Sequence, residues 1–282
     1  MRVLLISNMY PSKETPNFGV FVKEQVDVLK QKGVDFILVV NTVKKGGWVS
    51  PFKYFLLLLK TIKASFYDFD LIHFHYLFPN GVLALIPYFF KRKPIIATAH
   101  GSDVNLVTKV GWIRYLTLIT LKYTSALICV SQDLASELQR ILEADNSLKN
   151  LIKDIRVVDC GVDTDIFLPV AVPVGRQGRQ GRQGRQGRHG KPEDKRYLRN
   201  LLGLPLSKKI LLYVGNLVPH KGVDFLISML PEIVKKHPEV YMVIVGDGPL
   251  GKDLMKEVVA LILEDYVRFE EAKPHWQVPR WM

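Results

Sequence analysis

The chain has 282 residues, 48% of them hydrophobic and 10% aromatic, enough to bury one large or two medium α/β cores. Its formal net charge is +12, but five of those charges are the arginines of one repeat (Arg176, Arg179, Arg182, Arg185, Arg188), which leaves +7 elsewhere. That balance suits nucleotide ligands or an anionic membrane surface and does not call for a specific nucleic-acid partner. The two cysteines, Cys129 and Cys160, lack CxxC spacing, so a reduced, cytoplasmic chain without a zinc site is expected. MRVLLISNMYP carries no small-residue cleavage site, and every long apolar run is interrupted by proline or charge. A soluble or peripheral protein is the expectation.

Residues 2–7, RVLLIS, read as a strand buried on both faces of a parallel sheet. A loop with two prolines ends at Gly19, and VFVKEQVDVLKQKG follows as a helix with Val22, Val26 and Leu29 on one stripe and Gly33 as its stop. DFILVVN is the next strand. This β-α-β order is a Rossmann-like opening, but without GxGxxG at its first junction it does not suit a dinucleotide.

Ser50-Pro51 predicts a helix start. Phe52, Phe55, Leu56, Leu59, Ile62 and Phe66 then recur at helical spacing, with Lys53, Lys60 and Lys63 between them. The favoured reading is a helix packed on the sheet with snorkelling lysines. Trp48 and Lys44-Lys45 keep a second reading open, in which the 51–66 helix rests on a membrane.

DLIHFH, PIIATAH and ALICVS are three further apolar strands, ending in His75, His100 and Ser131. Ligands of open parallel sheets sit at the carboxyl ends of strands, so these three residues point to one cleft. In AHGSD, His100 leaves the strand for a glycine, and Ser102 or Asp103 is placed to cap a following helix. His73 and His75 share a strand face, yet an HxH on a buried strand is more often hydrogen-bonded core than a metal site. IRVVDCGVDTDIF supplies another strand and closes a first domain at 1–168.

Val174–Gly190 holds four GRQ triplets and GRHG, which cannot bury a core. We expect a disordered linker over 169–196, an expanded triplet tolerated in a surface loop. A second βαβ series follows over 197–282. In it ILLYVG and VYMVIVG are strands, VDFLISMLPEIVKK and LGKDLMKEVVALILEDY helices, and VRFEEA a third strand. In ILLYVGNLVPHKG the strand ends at Gly215, and Lys221-Gly222 stands just before a helix. That arrangement suits an anion, most simply a phosphate. Gly246–Gly251 fits GxGxxG, but it follows the second strand of its domain and Pro249 removes an N–H donor. A glycine turn approaching a nucleotide from another angle is the better reading. No Walker A, GxSxG or HExxH pattern occurs.

In order, NMYP…FGVFVKEQ, DLIHFHYLFPNG, ATAHGSDV, VSQ, DCGVDTDIFLP, YVGNLVPHKGVDFLI and IVGDGPL closely resemble glycosyltransferases of family 4. The resemblance implies an α/β GT-B architecture, two Rossmann-like domains facing a cleft, with the second incomplete here. It implies transfer of a sugar from a nucleotide-diphosphate donor to a glycan or lipid-linked acceptor, with retention and no required metal or other cofactor. Carried over by position, Gly19 lies near the donor phosphates and His100 contacts the donor sugar. Lys221 neutralises the leaving diphosphate beside Gly215, Asn216 and Gly222, while Gly246 and Gly248 line the nucleotide pocket. His75, Asp103 and Ser131 fall on the acceptor side of the cleft.

Two departures stand out. Asn216 occupies the place of the family's arginine, and no E-x7-E pair follows Gly251. The resemblance therefore implies a C-terminally truncated transferase of weak or no activity, working on cell-surface glycan or glycolipid at the inner face of the cytoplasmic membrane. Two other readings compete with it. One is a non-catalytic fragment or an acceptor-binding subunit completed by another chain. The other is an RNA-associated protein acting through the repeat, which has no aromatic residue to stack on a base.

Overall fold

A computed structural model describes residues 1–43, 51–144, 154–161, 167 and 195–282. The chain divides into two compact units, Met1–Gly161 and Val162–Met282. The GRQ repeat, Trp48, Lys44, Lys45 and the Ser50 cap lie outside the described residues.

Unit 1 alternates β1 (Arg2–Ser7), α1 (Val20–Gln31), β2 (Asp35–Val40), α2 (Pro51–Ala64), β3 (Leu71–His75), α3 (Asn80–Lys91) and β4 (Ile95–Ala99). It continues through α4 (Ser102–Lys109), α5 (Gly111–Lys122), β5 (Ala126–Cys129), α6 (Gln132–Glu143) and β6 (Ile155–Val157). The six strands are parallel in the order β2-β1-β3-β4-β5-β6. The continuous apolar runs of the sequence are what such a sheet demands, since helices cover both faces; Val3, Leu4, Leu5 and Ile6 are all buried. From β1 the chain first moves outward to β2 and then back to β3 on the other side. That reversal opens a crevice between the loops after β1 and β3.

Unit 2 holds α7 (Lys195–Leu201), β7 (Lys209–Val214), α8 (Val223–Lys236), β8 (Val240–Val245), α9 (Gly251–Ala260) and β9 (Val267–Glu270). Its described strands form a parallel sheet in the order β7-β8-β9. Met242 and Ile244 of β8 face Val223, Ile227 and Leu230 of α8, forming a core separate from that of unit 1. Pro231 sits inside α8.

Three expectations need correction. The apolar stripe of α2 does not face the sheet. Leu57, Thr61 and Ala64 are buried, whereas Phe52, Phe55, Leu56, Leu59, Ile62 and Phe66 are exposed. Fourteen residues with apolar side chains on nearly every face left the choice of buried face to fine packing, and the small and medium side chains won. Next, α9 ends at Ala260 rather than running to Tyr266. The Leu263 N–H reaches back to Val258 O (3.0 Å) and Ile262 takes a left-handed φ of 55°. This Schellman-type closure turns Leu263 into the core, a tertiary gain that overrides the helical propensity of the segment. Finally, neither Ser102 nor Asp103 caps α4. Its N-cap is Gly101 at φ 100°, a backbone conformation that glycine adopts without strain.

Candidate functional site

Parallel pairing brings the ends of β3 and β4 side by side, with His75 in register with Thr98. His73 Nε2 lies 2.8 Å from Thr98 Oγ1, so this histidine is hydrogen-bonded core, as the HxH spacing suggested. One turn of the pleat further, His75 Nδ1 lies 3.1 Å from His100 Nε2. The His73 and His75 rings are 4.5 Å apart and those of His75 and His100 5.3 Å. His100 is flanked by two more aromatic rings, Phe21 at 4.7 Å and Tyr76 at 4.6 Å.

Asp103 ties this edge together. Its two carboxylate oxygens accept from the His100 N–H (3.0 Å) and the Leu77 N–H (2.8 Å), locking the loops after β3 and β4 to each other. Asp103 therefore points back at the strand ends instead of forward along its helix. Asn80 adds a second brace, donating to His75 O (2.5 Å) and to Asn8 Oδ1 (3.1 Å) of the loop after β1. Tyr76 holds φ at 67°, an uncommon conformation for a bulky residue. Such strain, here at the mouth of the crevice, is typical of ligand-facing positions.

Burial controls the charge of this cluster. Desolvation, reinforced by the charge of His100, lowers His73 to about 4. Desolvation and the two neighbouring imidazoles hold His75 well below its ordinary value. His100 is also lowered by burial, with the Asp103 carboxylate opposing. All three rings are neutral near pH 7.

Gly19 caps the start of α1 at φ 72°, and a Cβ there would lie 2.6 Å from the Met9 backbone carbonyl. Only glycine allows this approach, which holds the loop after β1 against the helix start. Ser131 has a local job: its Oγ accepts from the Leu134 N–H (3.3 Å) and caps α6. The described hydrogen bonds do not link it to the histidine cluster.

In unit 2 the strand-end glycines press two loops together. A Cβ on Gly246 would lie 1.9 Å from Gly215 O, and one on Gly248 would lie 2.3 Å from Leu217 O. Leu217 N–H donates to Asp247 O (3.0 Å), and Leu250 N–H returns to Leu217 O (3.2 Å). The glycines are thus required by the chain's own packing, which also brings the backbones of both loops to one sheet edge. Tyr213 Oη donates to Asn216 O (2.9 Å), pinning the residue after Gly215. Pro219–Lys221 makes a single 3-10 turn, Gly222 follows at φ 64°, and α8 starts with no side-chain cap. Lys221 is exposed at that uncapped start.

Sequence reasoning sent His75, His100 and Ser131 to one cleft; the structure joins His75 and His100 to Asp103 instead, together with Phe21, Tyr76, Asn8 and Asn80, which sequence reasoning missed. Phe21 is an apolar residue in the first turn of a helix and Tyr76 follows a strand, and neither position by itself signals a site. The Pro-Asn-Gly turn at 79–81 was the available signal for Asn80.

Among the described residues, no group of three His, Cys, Asp or Glu side chains is placed to hold a metal ion, and no helix is long and apolar enough to cross a membrane.

Two parallel α/β units, each with glycines and polar groups gathered at the carboxyl edge of its sheet, have the fold of glycosyltransferases of the GT-B class. The chain belongs to glycosyltransferase family 4: the Glycosyltransferase Family 4 model matches residues 9–166, and the Glycosyl transferases group 1 model matches 194–282. It is 26% identical over 300 residues to TuaC of Bacillus subtilis (strain 168), named for teichuronic acid biosynthesis, covering 91% of this chain and 68% of TuaC. It is 24% identical over 214 residues to the alpha-monoglucosyldiacylglycerol synthase of Streptococcus pneumoniae (strain ATCC BAA-255 / R6), covering 73% of this chain and 43% of that protein. HepE of Anabaena, solved with UDP and glucose, shares the fold at a TM-score of 0.66 and 19% identity, covering 100% of this chain and 71% of HepE. The chain thus spans about two thirds of TuaC and under half of the synthase. These likenesses favour neither the acceptor-binding-subunit nor the RNA-associated reading.

Proposed function

We propose that the protein transfers a sugar from a nucleotide-diphosphate donor to a cell-surface glycan or glycolipid, with retention and without a metal. The observation that carries this reading is the strand–turn–helix at 209–236. It sets an exposed lysine on a single turn before a 14-residue helix without a side-chain cap. A diphosphate leaving group gains both the ammonium charge and the helix-end dipole there. Gly215, Gly246 and Gly248 bring two loops within reach of the nucleoside. On unit 1, His100 would meet the donor sugar, with Gly19 near the phosphates and the His75–Asp103 side toward the acceptor. Support for a uridine donor comes from HepE, which binds UDP and UDP-glucose. Titrating the full chain with UDP, GDP and ADP by calorimetry is expected to give a measurable Kd for UDP at least tenfold tighter than for the other two. Equal heats for all three would remove the uridine assignment, and no binding by any would remove the donor site.

The acceptor reading gains from the exposed face of α2 and α3. Phe52 (66% exposed), Phe66 (69%) and Phe90 (60%) share it with Phe55 and Phe89, and the Phe66 and Phe90 rings lie 5.8 Å apart. Lys63 on α2 and Arg92 just past α3 are exposed beside them. An apolar face with a basic border suits the interface of an anionic bilayer, where a lipid-linked acceptor would be held. In this reading the protein works at the cytoplasmic membrane face. Flotation with anionic vesicles is expected to retain the protein at low salt and release it at high salt. Replacing Phe52, Phe66 and Phe90 by serine is expected to lower retention at least tenfold. The arginine repeat also favours anionic vesicles, so the phenylalanine variant is the arm that assigns the surface. Unchanged retention in that variant sinks the assignment.

A further inference from the structure

We propose that His75 is a positioning residue that fixes the tautomer of His100, so that the His100 ring offers an Nδ1–H donor to the ligand and no lone pair. The inference rests on the reading that His100 meets the donor sugar. It begins with two nitrogens 3.1 Å apart, His75 Nδ1 and His100 Nε2, of which one must carry the shared hydrogen.

Both rings are neutral, so each has one N–H and one bare nitrogen. Two arrangements satisfy the pair. In the first, His100 donates from Nε2, and His75 must then carry its own hydrogen on Nε2. That atom is buried and has no hydrogen-bond partner, in a residue with no exposed surface. An N–H stranded there is a rare and unfavourable state. In the second, His75 donates from Nδ1 and strands only a lone pair on Nε2, the milder defect. The second arrangement leaves His100 with its hydrogen on Nδ1.

The rest of the shell prevents His100 from escaping the choice. Phe21 and Tyr76 flank the ring at 4.7 and 4.6 Å, and Asp103 holds the His100 backbone N–H at 3.0 Å. Rotation of the ring would have to displace these neighbours. His75 is itself held from the backbone side, since Asn80 donates to its carbonyl. A buried residue two positions beyond a core histidine thus sets the hydrogen-bonding sense of the half-exposed one. The ring that faces the ligand becomes a donor for a sugar hydroxyl or a developing oxyanion, and it is unable to act there as a general base.

Nitrogen-15 NMR of the histidine-labelled full chain at neutral pH tests this directly, with His100→Gln identifying the resonances. The expected spectrum shows His100 protonated on Nδ1 and bare on Nε2. A proton on His100 Nε2 in the unaltered protein overturns the proposal, whatever the variants do. His75→Phe keeps a ring in the cavity but removes the donor. In it the His100 preference should be lost, and UDP-glucose should bind about tenfold more weakly relative to UDP, the effect of one hydrogen bond. An unchanged His100 tautomer in a folded His75→Phe protein also overturns it. The expected tautomer together with equal affinities for UDP and UDP-glucose in the unaltered protein and in His100→Gln has a different meaning. It upholds the assignment of the hydrogen and removes the donor-sugar reading of His100.

Discussion

Lys221→Ala is expected to weaken UDP binding by tenfold to a hundredfold, the effect of about 1.5–3 kcal/mol for a charged hydrogen bond, while leaving uridine binding unchanged. The transfer rate should fall further, by roughly 10²–10³, because charge on the departing diphosphate is greatest in the transition state. Lys221 is exposed on a single turn, so its removal opens no cavity and the melting temperature should stay constant. Lys221→Arg keeps a cation at the start of α8 and should recover most of the affinity. Asn216 can offer an amide N–H but no charge, which leaves Lys221 as the cation that the strand–turn–helix supplies. Calorimetry with uridine, UMP and UDP gives the decisive pattern: the loss should grow with each phosphate. A loss of equal size for all three would show that Lys221 shapes the loop and does not meet the diphosphate.

The second large effect is on stability. Between about pH 7 and pH 5 the protein is expected to lose roughly 2 kcal/mol of folding stability through His73, with His75 adding a loss of the same sign. In the unfolded chain each imidazole takes up a proton below about 6.5. In the folded chain His73 resists until about 4 and His75 until well below its ordinary value, both chiefly because burial penalises the charged ring. The unfolded state therefore binds more protons in this window, and stability rises with pH. The contribution is complete above about 6.5 and is lost as the pH falls, at close to 1.4 kcal/mol per pH unit for His73. His100 is lowered too, less freely because Asp103 favours its charged form. Urea midpoints followed through the fluorescence of Trp112 at pH 7, 6 and 5 measure the loss. A midpoint that does not move between pH 7 and 5 would mean that the buried rings charge in place. Against a total of about 5–15 kcal/mol for an ordinary domain, the expected loss is a large share.

Most of the architecture was legible because parallel strands announce themselves. RVLLIS, ALICVS and VYMVIVG have no polar face, and only a sheet covered on both sides accommodates that. Placing His75 and His100 at one cleft needed no more than the rule that ligands meet the carboxyl edge. The cluster's inner wiring was less accessible. That Asp103 would bridge two loops backward, or that Asn80 would reach the loop after β1, depends on β3 lying between β1 and β4. Strand order is set by long-range packing and leaves little trace in local spacing. The glycines of unit 2 were read as making room for a nucleotide, whereas Gly246 and Gly248 make room first for Gly215 and Leu217. The α2 helix failed for a related reason. When nearly every position is apolar, periodicity does not say which side is inside, and Thr61 rather than Phe55 turned out to be buried.

The described sheet of unit 2 has only one strand, β8, with neighbours on both sides. Val240–Val245 is buried along all but one of its positions, whereas Leu211 and Val214 of β7 are exposed. The loop that carries Lys221 hangs from β7, which among the described strands pairs with β8 alone. Among the described strands of unit 2, the amide hydrogens of β8 should therefore trade with solvent more slowly than those of β7. The Lys221 loop then inherits the looseness of the strand before it. Any ligand that bridges the loops after β7 and β8 would tighten the weaker strand by tying it to the stronger one, so occupancy and local order in this unit rise together.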